Sequence, residues 1–256
     1  DADRRRTAVT LLLPAAGAVA GAIVGSFLPT LIIRWPRGEQ AVSGRSRCDS
    51  CDRELSPIEM IPVASWFVTR GRCRTCGAAI PRLHFGIELA WAVLASVALA
   101  LQPSLQGAAL AVFWLLLLAP AVLDARHYWL PDSLTIALAA GGLLLGGYAT
   151  GAGLIERLVG GGAGFTGLWL VGLLYRWLRD REGLGAGDPK LFGAIGLWIG
   201  WEALPMVLLI SALIGLATAL SQGRTRFDRM PFGTLLAVGA MLWTALQTVQ
   251  PDAALL

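Results

Sequence analysis

The chain has 256 residues, 55% of them apolar and only 15% charged, with a formal net charge of +4. A mean hydropathy of +0.63 excludes an ordinary soluble domain of this length and points to a polytopic membrane protein. Lys190 is the only lysine among 21 basic residues, and the arginines cluster in loops, which suits a membrane face and argues against a nucleic-acid partner.

The run from Thr7 to Ile33 follows Arg4 to Arg6 and is long enough for a bilayer core that needs ~20 residues, so it is read as helix one. It exceeds a typical signal-peptide apolar region, and no cleavable signal is expected. From Arg34 to His84 the composition changes to nine arginines, five acidic residues and all four cysteines. This is the expected extramembrane domain. Its internal run Ile61 to Val68 is too short to span, so it forms a small core or lies at the membrane interface. Seven more spans are predicted: Phe85 to Leu101, Gly107 to Leu123, Ser133 to Ala149, Leu154 to Leu178, a short one at Pro189 to Gly200, Ala203 to Leu220 and Pro231 to Val249. The domains are therefore 1–33, 34–84 and 85–256, and the fold class is an all-α polytopic membrane protein of about eight helices.

Arginine placement orients these spans. The segment 34–84 and the loops at Arg126, Arg176 to Arg181 and Arg224 to Arg229 are basic, whereas Gln102 to Gln106, Thr150 to Gly153 and Gly200 to Glu202 carry no positive charge. The basic set is assigned to the cytoplasm. Both termini then face outward, against the smaller bias of Arg4 to Arg6. The glycine-rich tract Gly141 to Gly167 lacks the strand and lysine of a phosphate loop, and reads as close helix packing.

Cys48-x-x-Cys51 and Cys73-x-x-Cys76, with 21 residues between the inner cysteines, have the spacing of a four-thiolate zinc ribbon. Two disulfides or free thiols are the alternative; the inferred cytoplasmic side is reducing, which favours a structural metal. Four protein ligands leave no position open for catalysis.

Ionisable residues at membrane depth mark function by default. Asp124 ends the third span and Asp188 begins the sixth, so the topology puts both at one boundary. Two carboxylates held close do not both ionise easily; sharing a proton, one activates water while the other polarises a carbonyl. Gly185 and Gly187 would leave backbone bare for an extended substrate. Asp188-Pro189 also reads as a helix N-cap and first-turn pair, as does Asp132-Ser133. A transporter with proton-relay aspartates is the competing class. Glu88, just inside the second span, and Lys190, two residues after Asp188, are candidates for either site or scaffold.

Five motifs resemble those of the type IV prepilin peptidases: G-S-F-L at Gly25 to Leu28, I-P-V-A-S-W-F-V-T-R-G-R-C-R-T-C from Ile61 to Cys76, L-D-A-R-H-Y-W-L-P-D-S-L-T from Leu123 to Thr135, R-E-G-L-G-A-G-D-P-K from Arg181 to Lys190, and P-F-G at Pro231 to Gly233. The resemblance implies an inner-membrane aspartyl endopeptidase of the G-x-G-D type with Asp124 and Asp188 as its catalytic pair, Cys48, Cys51, Cys73 and Cys76 on Zn2+, and Glu88 matching a family glutamate. It implies removal of a short basic leader from type IV prepilins or type II secretion pseudopilins on the cytoplasmic side, then N-methylation with S-adenosylmethionine, to which Gly71 is related. Departures lie in the first third: Pro29-Thr30 stands where the family has Asn-Val, Met60 where it has Asn, Asp49 where it has Pro within the first C-x-x-C, and Leu83-His84-Phe85 where it has Arg-Tyr-Pro before Glu88. A peptidase without methyl transfer is therefore carried as an alternative.

Overall fold

A computed structural model describes residues 2–38, 46–181, 183–223 and 229–249. Of the basic loop at Arg224 to Arg229, only Arg229 is among them, and Arg4 to Arg6 are described in backbone alone. Helices are the regular secondary structure of the described residues, with two isolated β-bridges beside them. Two compact units divide at Ala100 and Leu101.

The first unit contains α1 (Ala2–Gly25), α2 (Leu28–Arg34), α3 (Ala64–Thr69) and α4 (Arg82–Leu101). Helix one, expected to be continuous, breaks at Ser26 and Phe27. Pro29 has no N–H to bond back to the carbonyl four residues earlier, and its ring crowds that carbonyl, so the helix restarts with Pro29 in its first turn. The hydroxyl of Ser26 donates to the Ile23 carbonyl at 2.8 Å across the break. Helices α1 and α4 touch backbone to backbone; a Cβ on Gly21 would lie 2.5 Å from the Trp91 carbonyl oxygen. Between α2 and α4, two equivalent turns enclose the cysteine pairs. Cys48 N–H donates to the Arg53 carbonyl and Cys73 N–H to the Ala78 carbonyl, while Asp52 and Gly77, each four residues after the first cysteine, take the left-handed conformation.

The second unit contains α5 (Leu105–His127), α6 (Asp132–Thr150), α7 (Leu154–Arg179), α8 (Asp188–Ile199), α9 (Leu204–Ser221) and α10 (Phe232–Val249). Among the described residues, seven helical segments, Leu12–Arg34 together with α4, α5, α6, α7, α9 and α10, are long and apolar enough to cross a membrane. The eighth expected span exists as α8, but its 12 residues extend about 18 Å against a hydrocarbon core of about 30 Å. From Leu191 onward it is apolar all round because it is packed among α6, α7 and α10. Trp198, fully buried, stacks on Phe113 of α5 and donates its indole N–H to the Leu138 carbonyl of α6 at 2.7 Å. The glycines of the Gly141 to Gly167 tract admit these contacts, with Gly160 and Gly164 of α7 meeting the α8 backbone at Gly196 and Phe192. Arg157 is buried at the opposite end from Asp188, and donates to the carbonyls of Gly142 and Ala152.

Candidate active site and metal centre

Helices α5 and α8 bring their aspartates to the same end of the second unit. Asp124, in the last turn of α5, is 5% exposed, and Asp188, the first residue of α8, is 4% exposed. The N-terminus of α10 sits beside both. Thr234 donates its backbone N–H to Asp124 Oδ2 at 2.8 Å, and its hydroxyl lies 3.1 Å from the same oxygen and 2.8 Å from the Ala121 carbonyl. The backbone N–H of Gly233 bears on both carboxylates, and the Asp124 charge bears on Asp188. Amides at a helix start point outward unbonded, so they form a ready receptor for carboxylate oxygens.

Asp188 does not act as the forward cap expected for it. The residue before α8 is Gly187, and the Asp188 carboxylate turns back to accept the Gly185 N–H at 2.9 Å. This return bond explains Gly185, where a Cβ would lie 3.1 Å from Asp188 Oδ2. Gly187 has a different reason. Its Cβ would fall 2.7 Å from that of Leu130, and the same leucine side chain would lie 2.8 Å from a Cβ on Gly233, so Leu130 fills the space between two glycines beside the carboxylates. Lys190 reaches Asp132 at 2.6 Å, joining the starts of α8 and α6 at this end. Asp132 makes no capping bond.

Sequence reasoning missed Thr234 and Leu130. Thr234 directly follows the P-F-G signature and Leu130 lies within the first aspartate motif, but neither side chain is ionisable, and only the folded chain shows what each touches.

In the first unit the four cysteine sulfurs lie within 4.8 Å of one another, with Cys48 and Cys76 at 3.9 Å. Zinc at 2.3 Å from four thiolates requires sulfur separations of about 3.8 Å, so this donor set fits one tetrahedral ion. Next to it Arg53 grips Glu59 with two bonds of 2.7 and 3.1 Å, and Glu59 also accepts from the backbone and hydroxyl of Ser56. The guanidinium first, then the Ser56 amide, holds the Glu59 carboxyl down at about 2.

A cavity of about 460 Å³ lies within the same unit. Trp66, Phe85, Glu59 and Glu88 are among its walls, with Trp66 stacked on Phe85 at 4.7 Å. Glu88 accepts the Val63 N–H at 2.7 Å, which fixes the start of α3. Gly71 holds a left-handed backbone under the Trp66 indole, where a Cβ would approach to 2.9 Å. The indole N–H of Trp66 is buried with no partner among the described residues.

Residues 19–102 match the model of the bacterial peptidase A24 N-terminal domain, and residues 109–220 match that of the type IV leader peptidase family. A prepilin leader peptidase/N-methyltransferase of Stutzerimonas stutzeri is 34% identical over 256 residues, covering 88% of this chain and 89% of that protein. The chain belongs to the type IV leader peptidase family. Relatives with the same description include one from Burkholderia pseudomallei, 46% identical over 202 residues, and one from Aeromonas salmonicida, 39% identical over 211. These alignments cover 76% and 78% of this chain; the chain spans 65% of the Burkholderia protein and 71% of the Aeromonas protein. No solved structure matches. Within this leader peptidase family, the aspartate motifs of the present chain fall inside the matched 109–220 segment and the cysteines inside the matched 19–102 segment.

Proposed function

We propose that the protein is an intramembrane aspartyl endopeptidase that removes the short basic leader from type IV prepilins or type II secretion pseudopilins. The observation that carries this is the pair of buried carboxylates, from two different helices, meeting at the amides that open α10. Asp124 and Asp188 take the catalytic roles. One carboxylate accepts a proton from water as the water attacks the scissile carbonyl, and the other, protonated, donates to the carbonyl oxygen. Gathering both at one end of the bundle supports hydrolysis over a proton relay, which needs acids distributed along a crossing path. The arginines at this end, Arg126, Arg176 and Arg179, set against connections at the opposite end that carry no basic residue, support a cytoplasmic site in a bacterial inner membrane. Asp124→Asn and Asp188→Asn should each abolish leader removal from a co-expressed prepilin while leaving membrane insertion intact. Normal cleavage by either variant contradicts the assignment.

The same reading gives the first unit a structural zinc on Cys48, Cys51, Cys73 and Cys76, and S-adenosylmethionine in the adjoining cavity. The cavity fits that cofactor by chemistry. The Trp66 and Phe85 rings offer a stacking surface for adenine, the unpartnered Trp66 N–H needs an acceptor, and carboxylates such as Glu88 suit a sulfonium and an ammonium. When bound, the cofactor supplies an electrophilic methyl group to the amino terminus that cleavage exposes. A second reading, a peptidase without methyl transfer, is favoured by one observation: Thr30, Asp49, Met60, His84 and Phe85, where the chain departs from the family pattern, all line this cavity. The mass of the mature pilin amino terminus decides between them, since a full methyl increment contradicts the second reading.

A further inference from the structure

Helix α3 and the turn before it carry an apolar surface that none of the described residues covers. Ile58 is 63% exposed, Phe67 62% and Val68 67%, with Ile61 close behind. The short run read from sequence as a small core or an interfacial segment is therefore not a core. Its position is fixed against a membrane-crossing helix. Val63 at the start of α3 is bonded to Glu88, and Phe67 meets Phe85 edge to face at 5.4 Å. Phe85 and Glu88 lie three and six residues into α4, about 5 and 9 Å along its axis. With Arg82 at the phosphate level, those distances correspond to the 5–10 Å to which interfacial helices sink their apolar faces, about the level of headgroups and upper acyl chains. Charge agrees with that placement. Arg70 caps α3, Arg82 opens α4, and Arg74 shares a shallow groove with Ile58, Ile61 and Val68. All three arginines are exposed, and none forms an ion pair among the described residues.

We propose that residues 58–68 form a membrane-surface anchor, with Ile58, Ile61, Phe67 and Val68 immersed at the headgroup boundary and Arg70, Arg74 and Arg82 on lipid phosphates. The occupant is the bilayer itself, because Phe85, which Phe67 touches, stands in one i+4 row with the exposed Leu89, Val93 and Val97 of α4, and the surface pairs apolar side chains with uncompensated arginines. Ser65 and Trp66 belong both to this segment and to the cavity wall, so the anchor holds the cavity at the membrane surface. For a substrate that stays embedded in the bilayer, that is the level at which a newly exposed amino terminus emerges. This consequence rests on the proposed methyl transfer, but the anchor does not.

The test uses the full chain in nanodiscs of phosphatidylethanolamine and phosphatidylglycerol, with benzoylphenylalanine at position 67, 68 or, as a control on the exposed cysteine turn, 52. Metal content verifies that each variant folds. After irradiation, peptide masses should show lipid adducts at 67 and 68 and none at 52. Cross-links from 67 and 68 to residues 101–256 or to a second protein, absence of lipid adducts at both, or equal lipid labelling at 52 would each overturn the proposal. None of these outcomes bears on leader cleavage, which is measured separately on the same samples.

Discussion

Replacing Thr234 with valine removes one hydroxyl, whose single proton is shared between the Asp124 carboxylate and the Ala121 carbonyl. Asp124 Oδ2 takes the Thr234 N–H at 2.8 Å and faces the Thr234 hydroxyl at 3.1 Å, with the Gly233 amide beside them. Valine keeps the amides and the branched shape at the start of α10, so Asp124 keeps the Thr234 N–H and loses the hydroxyl. A hydrogen bond to a charged group contributes about 1.5–3 kcal/mol, and each 1.36 kcal/mol of barrier is a factor of ten in rate. If the bond orients the carboxylate that activates water, kcat should fall about ten- to a hundredfold, with KM nearly unchanged. Serine restores the hydroxyl and should restore most of the rate. The assay is cleavage of a purified prepilin by enzyme reconstituted in lipid, with kcat and KM separated by varying substrate. A valine variant within twofold of the parent, or a serine variant as slow as valine, would refute the role assigned to this hydroxyl.

Three other perturbations follow from the geometry. Gly196→Ala drives a methyl group into the Gly160 backbone and should cost about 1–3 kcal/mol of stability, read as a lower denaturation midpoint in detergent. Glu59→Gln should weaken the cysteine domain at neutral pH. The Glu59 carboxyl is held down at about 2, so its stabilisation is complete above the ordinary value of 4.5 and fades as pH falls toward 2; the difference between parent and variant should shrink between pH 7 and pH 3. Cys76→Ser removes one of four sulfurs from the cluster and should abolish stoichiometric zinc by elemental analysis, while opening residues 46–80 to protease.

Apolar run length and turn residues located the helices of the second unit to within a few residues, because lipid-facing surfaces have to be apolar from end to end. The same logic overran at helix one, where Pro29 interrupts a run whose hydropathy is unbroken. It also could not distinguish a spanning helix from α8, since burial in protein and burial in lipid demand the same side chains. At the site, the two aspartates were legible as costly charges at one boundary. What held them was not. The direction of the Asp188 carboxylate, back to Gly185, depends on loop backbone that spacing does not encode, and the donors to Asp124 come from a residue 110 positions away. Glu88 was legible as an unusual charge, but its bond to Val63 was not, because the first turn of α3 lies 25 residues earlier.

The two carboxylates are held by unlike means, and this makes the short helix α8 part of the site. Asp124 is gripped by the start of another helix, whereas Asp188 is bonded to its own loop and takes its position from wherever α8 lies. Helix α8 in turn rests on α7 through backbone contacts at Gly160, Gly164, Gly193 and Gly196, where no side chain can flex to absorb a shift. Gly196 is eight residues from Asp188, about 12 Å along a rigid helix. A methyl group inserted there has to push α8 from α7 and carry Asp188 with it, and misplacement of a reacting group by about 1 Å can cost a hundredfold in rate. Gly196→Ala should therefore lower kcat even below its denaturation temperature, where the variant remains folded. Gly162→Ala, at an exposed position with no neighbour within 4 Å, should leave the rate unchanged and cost no stability, alanine being the better helix former.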